Sequence, residues 1–348
     1  MKLLIFKSRE PAFETMDRSC RKAWLKKVQR PKNVGVDLSV SKYIAHKYPD
    51  ITVHYKDPFL ANLDDYDAVY VGLEYWSMSH VLHEQGSRKL NQYKRLLNSI
   101  PKRKMIVPPA FIEFSHDKCA FNKTMRKLKI PVAPTKCVLL SRIVKNVEQR
   151  GGDLTLQNVF DSVRRTPWGS KGQEVFAKPM PGEGSRDIFS FTGDSFNDFK
   201  KSMRSLMQPD KKTYTHVVFQ RFMPDFATDK HPEMRTYWVG DKYHFGVRTT
   251  DFGYYAGRIK RLPSAIRNHT QTMIRHFEKV YGFEFVCARF DWGFDKDIGY
   301  FMNEIELFPG FFNEEMSEKN LPKCKWDLDA RIGDKIASIM SKKQFTRK

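Results

Sequence analysis

The sequence predicts a mixed fold, an open α/β unit followed by a longer α+β region, and three observations carry this. Residues 1 to about 107 alternate strand-like and helix-like stretches, as a parallel sheet with crossover helices requires. After Pro109 the pattern changes to runs of consecutive strands flanked by helices, which points to antiparallel pairing. A chain of 348 residues also exceeds the commonest single-domain size, so it divides into packed units. The divisions read as 1–107, 108–214 with a linker helix, 215–340, and a basic tail at 341–348.

Lys2–Phe6 is an apolar first strand, closed by Lys7 and Arg9 and too short for a secretory segment. Val36–His46 has helical spacing, Ile51–Tyr55 alternates like a strand, and Asp67–Leu73 reads as a buried strand. Leu90–Ile100 is helical, and Lys104–Val107 begins another strand before Pro108 and Pro109. No Gly-rich dinucleotide fingerprint occupies the first turn, so a nicotinamide cofactor is not supported. Ser115–Leu128 reads as one helix capped by Ser115, with Phe121, Met125 and Leu128 on one face. Thr135–Leu140 is a strand, and the polar stretch 141–172 holds Gly151, Gly152 and a helix around Leu156–Val163. Strands follow at Glu174–Lys178, Phe189–Thr192, Thr215–Phe222, Glu233–Val239 and Lys242–Thr249. A helix over Ala265–Tyr281 and a hairpin over Phe285–Leu307 complete the pattern.

A hydrophobic fraction of 41% excludes a disordered chain. No run of about 18 uncharged apolar residues suggests a membrane span. Cys20, Cys119, Cys137, Cys287 and Cys324 are scattered, which argues against a disulfide framework or a zinc site. The expectation is a soluble cytoplasmic protein in a reducing compartment. The net charge of +21 suits a polyanionic partner such as nucleic acid, or else a solubilising surface. Seven of the fifteen residues from Arg18 to Lys32 are basic.

Three segments carry chemistry. In Val175–Asp187 a strand delivers Lys178 into a loop holding Gly182, Gly184 and Ser185. Glycines let backbone N–H groups approach phosphate, and the ammonium neutralises it. Val217–Met223 is an apolar strand running into a hinge, which suits the faces and edge of an adenine as well as a plain core strand. The third is the hairpin Cys287–Gly310. With Phe294 opposite Phe301, Asp291 faces Glu304 and Arg289 faces Glu306, and strand alternation sets all four on one face. Three gathered carboxylates call for a cation, and oxygen donors alone select magnesium or manganese. A one-residue slip would scatter the set, and a solvent-facing salt-bridge ladder is the alternative.

Together with Asp117-Lys118, Ile130–Thr135, Glu233-Met234-Arg235, Arg248 and Phe308-Pro309-Gly310, the order of these parts resembles the ATP-grasp superfamily over roughly residues 105–315. The resemblance implies an ATP-grasp fold, with a small lid subdomain and a larger one, behind a Rossmann-like N-terminal domain. It also implies ATP and Mg2+ (or Mn2+). Lys118 and Lys178 match the phosphate-binding lysines, Gln220, Arg221, Phe222 and Met223 the adenine hinge, and Glu233 a ribose partner. Asp291, Glu304 and Glu306 match the metal ligands, with Glu306 standing where Asn is common. Arg289 resembles the Arg-x-Asp arginine that steadies an acyl-phosphate, and Arg235 and Arg248 the arginines facing the γ-phosphate or the acid.

The reading is an ATP-dependent ligase joining a carboxylate, small or protein-borne, to an amine or thiol through an acyl-phosphate. A grasp-type kinase acting on a polyanionic alcohol such as an inositol phosphate, and a non-catalytic nucleic-acid-binding protein, are the alternatives. His80 and His83 lack a third metal ligand, and Tyr254 and Tyr255 with Arg258, Lys260 and Arg261 suit a substrate loop or a polyanion contact.

Overall fold

The computed structural model describes residues 1–7, 36–71, 78–150, 152–170, 172–180, 187–208, 214–250, 254–307 and 321–345. The basic stretch from Arg18 to Lys32 lies outside them.

The chain opens with β1 (Lys2–Phe6), α1 (Val36–Lys47), β2 (Thr52–Lys56), β3 (Ala68–Tyr70) and α2 (Met78–Ser99). β1 is the middle strand of a parallel sheet ordered β2-β1-β3, in which Leu3 pairs with both Val53 and Ala68. Leu3 to Phe6 have no exposed surface, because a central parallel strand is covered on both faces. The strand expected at Lys104–Val107 is reduced to one bridge between Val69 and Met105. α2 kinks at Gly86, whose φ of 82° glycine tolerates without a Cβ penalty.

The single helix expected at Ser115–Leu128 is two, α3 (Pro109–His116) and α4 (Lys118–Lys127). Asp117, not Ser115, caps α4: its Oδ1 accepts from the backbone N–H of Cys119 at 2.9 Å and Ala120 at 2.8 Å. A carboxylate there also complements the positive end of the helix dipole. The Ser115 hydroxyl is spent on Ile112 O at 2.7 Å, a back-bond that competes with capping.

β4 (Thr135–Leu139), α5 (Leu140–Arg150), α6 (Gly152–Arg164), β5 (Glu174–Met180), β6 (Phe189–Thr192), α7 (Phe196–Leu206) and β7 (His216–Arg221) form a second lobe. Its antiparallel sheet runs β4-β7-β5-β6, so β7 is paired on both edges here, although the sequence division placed it in the third unit. The lobe has its own core, in which Phe160, Phe191, Phe199 and Phe219 meet.

The third sheet is antiparallel and ordered β10-β9-β8-β11-β12. It comprises β8 (Glu233–Val239), β9 (Lys242–Thr250), β10 (Tyr254–Arg258), β11 (Cys287–Asp295) and β12 (Gly299–Glu306). α8 (Ser264–Tyr281) and α9 (Leu321–Phe345) accompany it. Its core, with Trp238, Phe290 and Trp292, is continuous with that of the first sheet. Phe111 of α3 sits between them, 5.0 Å from the Phe277 ring and 4.9 Å from that of Phe283. α3, which leads into α4 and Lys118, is thereby packed on α8 and the segment that leads into β11. Residues 341–345, expected in a basic tail, belong to α9, and Lys342 Nζ meets Glu284 at 2.8 Å. No helix among the described residues is long and apolar enough to cross a membrane.

The expectation of unpaired cysteines is corrected: Cys119 at the start of α4 is disulfide-bonded to Cys137 in β4. Spacing along the chain hides the pair because the turn at Ile130–Thr135 folds β4 back beside α4, bringing the two Cα atoms to 6.0 Å. Closing a loop of this separation, 18 residues, contributes about 3 kcal/mol. Cys119→Ser is therefore expected to lower the urea midpoint of the oxidised protein by a corresponding amount. Under excess dithiothreitol the variant and parent should unfold together.

Candidate active site

The hairpin β11–β12 pairs Arg289 with Glu306 and Asp291 with Glu304, and β11 pairs Arg289 with Tyr237 and Asp291 with Arg235. Pleating therefore sets Arg235, Arg289, Asp291, Glu304 and Glu306 on one face, as expected. The anchor of the expectation differs: Phe294 lies opposite Tyr300, not Phe301. The register changes by one between Asp291 and Trp292, with Asn303 as the extra residue on β12. The bulge lies where the Met302 N–H turns from the hairpin to Pro131 O, at 2.8 Å. Such a bulge redirects side chains, and Asn303 Nδ2 donates to Glu233 Oε1 at 3.2 Å. Gly293 is required next to it, since a Cβ there would stand 2.4 Å from Phe301 Cζ.

The face alternates in charge, with Glu233, Arg235, Arg289 and Asp291 buried. Arg289 holds both Asp291 oxygens at 2.8 Å, through Nε and Nη2, and its Nη2 reaches Glu306 Oε2 at 2.6 Å. Burial opposes its charge, but Asp291 and Glu306 outweigh that and lift the guanidinium well above its ordinary range. Arg235 Nε donates to Glu233 Oε2 at 2.9 Å. Burial, then the neighbouring Asp291, raises the Glu233 carboxyl.

Two lysines from different lobes reach the face. Lys118, at the first position of α4, is 3.1 Å from Glu304. Burial pushes the Glu304 carboxyl up, yet Lys118 and Lys178 together hold it below the usual range. Lys178 arrives from β5 of the second lobe, and its Nζ donates to Gln220 Oε1 at 2.7 Å. Burial, then Lys118, lowers this ammonium to about 8. His116 stands beside Lys118 and Glu304, and burial lowers its imidazole to about 4; the sequence offered no signal for it.

The hinge residues divide among tasks. Gln220 accepts from Lys178, Arg221 pairs with Asp297 at 3.1 Å, and Phe222 lies edge-on to Phe176. Met223 joins Ala133 and Phe301 in a small apolar cluster where the two lobes meet. Arg248 is not brought to the charged face. It pairs with Met234 and is exposed, whereas its neighbour Thr249 pairs with Glu233, so alternation turns Arg248 to the other side. Glu233 is engaged by Arg235, Thr249 and Asn303. Gly182, Gly184 and Ser185, the segment Phe308-Pro309-Gly310, and the side chains of His80, His83, Tyr254 and Tyr255 lie outside the described residues.

Asp291, Glu304 and Glu306 supply oxygen donors from adjacent strands, a set chemically suited to a hard divalent cation. As the side chains stand, each is drawn to a lysine or arginine. Among the described residues no group of three or more His, Cys, Asp or Glu converges as a metal cluster.

A four-stranded lobe and a five-stranded lobe enclosing a cationic and carboxylate face define the ATP-grasp fold, and the chain has that fold. It is similar to a D-cycloserine synthetase, with a TM-score of 0.60 and 14% identity over 95% of this chain and all of the other. A peptide-associated ATP-grasp ligase from Chryseobacterium gregarium, in complex with ADP and a leader and core peptide, gives 0.54 and 12% over 97% and 96%. The D-alanine–D-alanine ligase of Bacillus anthracis gives 0.53 and 14% over the whole of both chains. No protein-family profile and no curated sequence matches the chain.

The lowered Lys178 has a measurable consequence. In the folded protein it loses its proton at about 8, against an ordinary lysine value of 10.5, so folded-state stability rises with pH across that interval. An anion bound to it selects the protonated form. ADP binding at pH 8 is therefore expected to take up about half a proton, read by calorimetry in buffers of differing ionisation enthalpy. Lys178→Met should abolish the uptake.

Proposed function

We propose that the protein is an ATP-dependent ligase that activates a carboxylate as an acyl-phosphate and joins it to an amine. The observation that supports this most is Arg289, a buried, permanently charged guanidinium set two residues before Asp291 and directly opposite Glu306. A planar fork suits a carboxyl-derived oxyanion, since it donates parallel hydrogen bonds that a lysine does not. The similar folds point the same way, being ligases of amino acids and of peptides.

In this reading ATP lies between the lobes with its adenine at Gln220–Met223 and its phosphates between Lys178 and Lys118. The acid's carboxylate oxygen attacks the γ-phosphorus in line, the bond to the bridging oxygen breaks, and ADP leaves. The two lysines spread the charge of the transferring group. The amine nitrogen then adds to the acyl carbon, Arg289 stabilises the oxyanion, and the carbon–oxygen bond to phosphate breaks as the amide forms, the nitrogen's surplus proton leaving with the phosphate or to water. Asp291, Glu304 and Glu306 are the residues that would hold Mg2+, which supplies charge neutralisation at the phosphates when bound.

The test needs no knowledge of the amine. Given ATP, Mg2+, hydroxylamine and pooled amino acids or peptides, the protein should form a hydroxamate with matching ADP release. Arg289→Lys should lower that rate by about 10²–10³ with nucleotide affinity kept. Phosphorylation of an inositol phosphate or another alcohol, with no hydroxamate from any acid, would overturn the reading.

A further inference from the structure

Glu233 accepts from three side-chain donors on the charged face, an engagement that a ribose contact does not explain. It is 7% exposed, and donors from three different strands hold it. Arg235 Nε reaches Oε2 at 2.9 Å along β8. Thr249 Oγ1 reaches the same oxygen from β9 at 3.2 Å. Asn303 Nδ2 reaches Oε1 from β12 at 3.2 Å, passing over β11. This last contact exists because the bulge supplies one extra residue at Asn303.

A guanidinium is a rigid planar fork, so fixing its Nε edge also fixes where its two terminal amino groups point. Arg235 stands opposite Asp291, on the face that Lys178 and Lys118 reach. Glu233 also acts electrostatically on Lys178, so it shares one region of the cleft with the lysine assigned above to the phosphates. We propose that Glu233 is a positioning residue that aims Arg235 at the γ-phosphate of the nucleotide, with Thr249 and Asn303 locking Glu233 in turn. The inference rests on the nucleotide site proposed above, and it replaces a ribose contact by Glu233.

Binding of ADP and of AMPPNP, measured with Mg2+ at fixed salt, tests it without any acid substrate. Glu233→Gln keeps the shape and removes the charge. It should weaken AMPPNP about tenfold or more, the worth of a charge-assisted hydrogen bond, and leave ADP within about twofold. Thr249→Val and Asn303→Ala each remove one bond to Glu233 and should weaken AMPPNP alone by about two- to fivefold. These two variants carry the test if Glu233→Gln does not fold. Preference for ADP over 3′-deoxyADP should be the same in all variants and the parent.

Equal losses for ADP and AMPPNP would mark a merely structural role and overturn the proposal. So would a lost preference against 3′-deoxyADP, which assigns Glu233 to the ribose, or unchanged AMPPNP affinity. Failure of the parent protein to bind either nucleotide would instead refute the nucleotide site itself, and the inference with it.

Discussion

A guanidinium shared between two carboxylates organises the cleft. Arg289 grips both oxygens of Asp291 and reaches across the hairpin to Glu306. Removing one partner from such a buried set leaves an uncompensated charge, which costs far more than an exposed pair contributes. The strands β11 and β12 are thus held in one relative alignment at the point where their charges meet. A slip of one residue would leave Arg289 with Asp291 on its own strand but turn Glu306 to the opposite face, away from the guanidinium.

The same requirement explains the bulge. Beyond Asp291 the hairpin must accommodate Phe301 against Gly293 and the hinge cluster of Ala133 and Met223. Up to Glu304 it must keep the charged register. One extra residue at Asn303 reconciles the two, and its amide is turned to use on Glu233. A local irregularity in the ladder therefore joins the polar face to the apolar junction between the lobes.

The charges also divide between bodies that are separately built. Lys118 stands on α4, anchored through α3 and Phe111 to the core shared by the first and third sheets. Lys178 belongs to a lobe with its own core. A polyanion between them would draw the two lysines together and offset both the burial and, after it, the repulsion from Lys118 that lower the Lys178 ammonium. The disulfide from Cys119 to Cys137 ties these bodies close to their junction.

Much of this was legible along the chain. Strand-like apolar patterns located β1, β6 and β8 to the residue and β5, β7 and β9 nearly so, and helical spacing did the same for α8, because each buries one or both faces. Asp291, Glu304, Glu306 and Arg289 were legible as a set, since alternation and a short turn relate residues that are close in sequence. Long-range facts were not. α5 and α7 escaped notice because each buries a narrow apolar stripe within a polar segment, and the cap at Asp117 was settled by competition with a back-bonding serine. The partnership of Cys119 with Cys137, the turning away of Arg248, and the gathering of Thr249 and Asn303 on Glu233 needed the packed structure. Sequence period determines which side chains share a strand face. Which strand lies beside which, and where the ladder skips a residue, follows from the tertiary packing that buries those faces together.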